Sequence, residues 1–89
     1  MELEILYFGK LRDLTGRTRE MISVDGVEDL KGLVNHLGTR YGKDFAEALE
    51  TTRGLRILVN GREYQQLSGL DTKLKEKDIV VLLPPIFGG

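Results

Sequence analysis

The sequence predicts an α+β domain in which a mixed sheet carries one main helix on one face. Three observations predict it. An apolar stripe at helical spacing occupies the middle of the chain, with strand-like segments on both sides of it. Asn60-Gly61 marks a two-residue hairpin, because a type I′ turn needs positive φ at both central positions. Near the end, every residue from 79 to 83 is apolar, the profile of a strand apolar on both faces, set centrally and paired in parallel.

Residues 2–8 alternate at first, with Leu3, Ile5 and Tyr7 on one face and Glu2, Glu4, Leu6 and Phe8 on the other, and read as a first strand ended by Gly9. Residues 10–16 read as a short helical turn or loop closed by Gly16. Residues 17–24 form a second strand, antiparallel to the first, with Glu20, Ile22 and Val24 sharing one face. Asp25 and Glu28 have the spacing of a capping box before the main helix. Val27, Leu30, Leu33, Val34, Leu37 and Tyr41 supply that helix's buried stripe, and Gly42 its stop. Asp44 is placed to cap a shorter helix that turns Phe45, Ala48 and Leu49 inward, and residues 51–54 form a loop. Residues 55–59 and 62–65 flank the Asn-Gly turn as a hairpin. Residues 66–78 read as connecting loops, with Lys73, Lys75 and Lys77 solvated. The order ββαββ with a central last strand is the β-grasp, or ubiquitin-like, arrangement.

At 89 residues the chain is one small domain, in which folding buries about 60–65% of the unfolded surface. A deep cofactor cavity, or an enzyme that works alone, does not fit that size. The chain has no cysteine, which excludes disulfides, thiolate metal sites and a cysteine nucleophile. Lys+Arg 13 against Asp+Glu 14 leaves a net charge of −1, so no overall basic excess points to nucleic acid. No apolar run reaches the roughly 20 residues of a membrane helix. Met1-Glu2-Leu3-Glu4 lacks a signal peptide's basic start, so a cytoplasmic location is expected. His36 falls beside the helix stripe as a solvated residue with no catalytic partner, and no phosphate-loop motif occurs. Neither a cofactor nor a metal site is expected.

The last six residues carry the chemistry. Residues 1–83 read as the folded domain and residues 84–89, Pro-Pro-Ile-Phe-Gly-Gly, as a tail. Pro84 and Pro85 make a stiff extended exit. Gly88 and Gly89 have no side chains and can enter a narrow channel. A carboxylate is a poor acyl donor, and a second enzyme would have to activate it, most simply as an acyl-adenylate made from ATP. Such a partner must also hold the carrier. If Ile5, Tyr7, Val80 and Leu82 face the helix, then Leu6, Phe8, Val81 and Leu83 face away from it. Those four, with Pro84, Pro85, Ile86 and Phe87, are the expected partner-binding surface, and Gly88 and Gly89 the reactive tip.

The chain resembles the MoaD/ThiS sulfur carriers, and within them the MoaD branch. The resemblance spans nearly the whole chain. It is carried by residues 6–16 (Leu-Tyr-Phe-Gly-Lys-Leu-Arg-Asp-Leu-Thr-Gly), by Leu58-Val59-Asn60-Gly61, by Gly69-Leu70-Asp71-Thr72, by Leu74, and above all by residues 78–89. It implies a protein co-substrate, monomeric when free, with its C-terminal glycine adenylated by a MoeB-like enzyme and converted to a thiocarboxylate. The sulfur would come from a persulfide enzyme and pass to a molybdopterin precursor, for molybdenum or tungsten, on a MoaE-like synthase subunit. Relatives of this type also serve transfer-RNA thiolation or are joined to lysines as protein modifiers. A plain ubiquitin-like interaction domain with an inert Gly-Gly is the reading from a different class.

Overall fold

Strand β1 (Glu2–Tyr7) buries every second residue, so Leu3, Ile5 and Tyr7 are fully enclosed in this computed structural model, which describes residues 1–85. Helix α1 (Gly9–Thr15) follows and stops at Gly16, whose left-handed φ of 72° closes the last turn. Strand β2 (Arg19–Ser23) returns antiparallel to β1, with Ile22 opposite Leu3 and Arg19 opposite Leu6. Helices α2 (Leu30–Tyr41) and α3 (Lys43–Thr51) come next, then β3 (Arg56–Val59), β4 (Arg62–Glu63) and β5 (Ile79–Leu83). The sheet order is β2-β1-β5-β3-β4. The last strand is central, parallel to β1 and antiparallel to β3. This is the β-grasp fold.

The core lies between the helices and one face of the sheet. Ile5, Tyr7, Val80 and Leu82 form one cluster with Leu30, Leu33 and Leu37 of α2 and Phe45 of α3, all of them fully buried. The two prolines stand just past β5, where no neighbouring strand needs an N–H from them.

Several boundaries differ from the sequence reading. The N-cap of α2 is Asp29, not Asp25: its Oδ1 accepts a hydrogen bond from the Gly32 amide at 2.9 Å. The residues ahead of it have backbone partners elsewhere. Glu28 O accepts from Leu74 N, Leu30 N donates to Thr72 O, and Asp29 pairs with Lys73. The stretch 72–74, read as part of a connecting loop, is thus built into the fold, with Thr72 and Leu74 buried and Lys73 exposed. Asp44 does not cap α3 either; Gly42 holds that position, with no side-chain cap bond. Val34, Tyr41 and Leu49 are only half-buried. The return strand is two residues long, because the chain enters a 3₁₀ turn at Tyr64.

Glu20 sits among apolar neighbours on the helix side of β2 and is nearly enclosed. The Tyr7 hydroxyl donates to its Oε2 at 2.5 Å, and the Tyr41 hydroxyl donates to the same oxygen. Arg40 Nη2 lies 3.1 Å from Oε1, and Arg17 Nε 3.8 Å. The carboxylate is thereby satisfied, as a buried charge must be. The rings of Tyr7 and Phe45 meet edge to face at 6.0 Å, and those of Tyr7 and Tyr41 at 5.9 Å. Burial, then hydrogen bonding to Glu20, holds both tyrosine pKa values above the ordinary range.

Two outcomes follow. Leu33→Ala or Leu37→Ala should cost about 2–5 kcal/mol in denaturant unfolding, out of a total of about 5–15. The folded state also holds the Tyr7 and Tyr41 protons more tightly than the unfolded chain does. Stability should therefore be fully present below about pH 10 and fall as pH rises past it, as the unfolded phenols ionise. Tyr7→Phe should flatten that alkaline fall in a series of melts across pH.

Candidate functional site

The face of the sheet turned away from the helices is apolar in the middle and charged at its margins. One transverse row crosses all five strands: Arg19, Leu6, Val81, Leu58 and Glu63 stand in register from β2 to β4. Leu6, Val81 and Leu58 are half-buried, because each shelters the next. On the side nearer the chain end, Leu83 stands opposite Arg56. On the other side, Met21 pairs with Glu4 and Glu4 with Ile79, and Met21 and Ile79 are 54% and 40% exposed. Arg19 pairs with Glu4, and Arg56 with Glu63. Such solvated ion pairs add little stability, but they hold long side chains at the rim and leave the apolar centre open.

The parallel pairing of β1 and β5 brings their C-terminal ends together. Phe8, just past β1, is 36% exposed beside Leu83, Pro84 and Pro85, the base of the tail. These residues border an apolar groove of about 600 Å³ with Leu11, and Lys10 and Arg12 stand at its margin. A β-carbon built on Gly9 would meet Pro84 Cγ at 3.5 Å, and one on Gly54 would meet Pro85 Cγ at 3.5 Å.

Of the residues singled out in the sequence, Leu6, Phe8, Val81, Leu83, Pro84 and Pro85 are gathered at one end of this face. Ile86, Phe87, Gly88 and Gly89 lie outside the described residues. Leu58, Met21 and Ile79 belong to the same face and were not singled out. Ile79 shares the parity of Val81 and Leu83, and Leu58 could have been phased from the Asn60-Gly61 turn. Gly9 and Gly54 read only as a strand stop and a loop residue, since nothing local shows what will rest on them.

Residues 5–89 match the ThiS family. The chain belongs to that family. Its members are small ubiquitin-like carrier proteins rather than enzymes. Small archaeal modifier protein 3 of Haloferax volcanii is 30% identical over 92 aligned positions, covering all of both chains. The solution structure of the Haloferax volcanii HVO 2177 protein is 30% identical, with a TM-score of 0.78 over the whole of this chain and 87% of that one. A complex of subunits 1 and 2 of molybdopterin-converting factor from Helicobacter pylori holds a chain 28% identical to this one, with a TM-score of 0.64 and full coverage of both. Family members are thus found bound to a partner subunit. Among the described residues, no helix is long and apolar enough to cross a membrane.

The two faces of the central strands should respond oppositely to charge. Phe8→Asp and Leu83→Asp stand on the open side and should melt close to wild type. Ile5→Asp and Leu82→Asp would bury an unpaired carboxylate, cost several kcal/mol and fail to fold. Circular-dichroism melts of the four variants check this.

Proposed function

We propose that this chain is a sulfur carrier for molybdopterin, supplying molybdenum or tungsten cofactor synthesis in the cytoplasm. A MoeB-like enzyme binds the open sheet face, and the Gly89 carboxylate attacks the α-phosphate of ATP with loss of pyrophosphate. The outer sulfur of a persulfide enzyme then displaces AMP to form an acyl disulfide. A second thiol cleaves that disulfide to release the C-terminal thiocarboxylate and leave a disulfide behind. A MoaE-like subunit receives the sulfur on its pterin substrate as the carrier returns to the carboxylate. The carrier itself supplies no acid, base or cofactor; it supplies an acyl group and the surface by which that group is presented.

The observation that supports this most is the position of the tail's base, at the edge of an apolar face that none of the described residues covers. Four residues follow Pro85, with an extended reach of about 13–14 Å. A docked partner therefore finds the tip within that reach of the surface it grips. The similarity to a molybdopterin-converting-factor subunit favours the pterin acceptor. The similarity to a small archaeal modifier protein favours a second reading, conjugation through the same activated glycine to lysines of other proteins. Both readings share the adenylation step and differ in the nucleophile that follows it.

Removal of Gly89, or of Gly88 and Gly89, should abolish ATP–pyrophosphate exchange with the activating enzyme and leave the melting curve unchanged. A truncated chain that still supports exchange would sink the reading. Phe8→Asp and Leu83→Asp should weaken partner binding more than a hundredfold, about 3 kcal/mol, through a carboxylate trapped against an apolar surface. A titration with the partner enzyme measures it.

A further inference from the structure

Pro84 and Pro85 each rest on a glycine held in a left-handed conformation, and the two glycines come from opposite sides of the central strand. Gly9, with φ +57°, follows β1 on one side of β5. Gly54, with φ +74°, precedes β3 on the other. A β-carbon at either position would stand at ordinary van der Waals distance from the proline ring, so a methyl fits there, but a branched side chain finds the ring on that side. Other glycines of this chain share the backbone conformation without the contact. Gly26, at φ +77°, has nothing within 4 Å of its β-position.

We propose that Gly9 and Gly54 are positioning residues for the tail: together they form a two-point seat that fixes the direction in which the chain leaves β5. Proline has a fixed φ and cannot swing its ring away from an obstruction without moving the chain that follows it. A branched side chain at either seat therefore displaces Pro84 or Pro85, the base from which residues 86–89 start. The sheet face is left as it was. Such a variant still docks on its partner but presents its carboxylate in the wrong place, where small misplacements of a reacting group cost rate steeply. The inference rests on the carrier reading above and adds two residues to it that border Pro84 and Pro85 and belong neither to the apolar row of the sheet face nor to the reactive tip.

The experiment compares Gly54→Val with Gly26→Val, two substitutions with matched backbone strain, of which only the first meets a proline. Thermal melts and steady-state adenylation with the activating enzyme are measured for both, with the carrier as varied substrate. The two should lose similar melting temperature. Only Gly54→Val should lose kcat, at least tenfold, with KM for the carrier close to wild type. Gly9→Val should behave like Gly54→Val. Asparagine variants at positions 9, 26 and 54 repeat the comparison at lower strain, because asparagine tolerates positive φ, in case a valine variant does not fold; Asn at 9 or 54 should lower kcat more than Asn at 26. Equal kcat for the seat variants and the Gly26 variants would overturn the seat alone. A wild-type chain that the enzyme does not adenylate would overturn the carrier reading, and the seat with it.

Discussion

The parallel pairing of β1 with β5 sets the positions of everything else. It sets the first and last strands side by side, Ile5 opposite Val80 and Tyr7 opposite Leu82, and makes the last strand in the sequence the central one. Because the two strands run the same way, the loop after β1 and the exit from β5 lie at one end of the molecule. Because β3 runs the other way, the loop that precedes it reaches that end as well. Phe8, Gly9, Gly54 and the two prolines meet there for that reason. An antiparallel β5 would leave the sheet at the opposite end, beside Met1 and the start of α2.

A central strand also needs both of its faces treated. On the helix side β5 gives Val80 and Leu82 to the core; on the other it gives Ile79, Val81 and Leu83 to a surface that nothing in the described chain covers. A solvent-facing strand would ordinarily alternate with polar residues. Here the polar positions come from the neighbouring strands, Glu4 of β1 paired with Arg19 and Arg56 of β3 paired with Glu63. A domain that keeps apolar residues in the middle of an open face forgoes solubility there, which is intelligible if that face is covered during use.

The strands and their phase were legible in the sequence because period-two burial writes itself directly into residue order: Leu3, Ile5 and Tyr7 against Leu6, and Val80 and Leu82 against Val81. The main helix was legible from the spacing of Leu30, Leu33 and Leu37. Its start was not. Asp25 and Asp29 are both sound caps locally, and the choice was made by residues 72–74, whose pairing with 28–30 joins segments far apart in the sequence. The carboxylate of Glu20 was legible as to face but not as to partners, since Tyr7, Arg40 and Tyr41 come from two other elements. The candidate site divides in the same way. The apolar patch and the tail follow from local pattern, whereas the glycine seats exist only through tertiary contact. What the tail does chemically rests on its composition and on family membership, not on the geometry of the sheet.

The most direct measurement is the mass of the C-terminal peptide, taken from this protein purified from its native host. The carrier account predicts a fraction of the peptide heavier by the replacement of one oxygen by one sulfur, with the extra mass on Gly89, and loss of that fraction when the activating enzyme is removed. A C-terminal carboxylate that stays unmodified with the enzyme present, and no Gly-Gly remnant on lysines of other proteins, would contradict it.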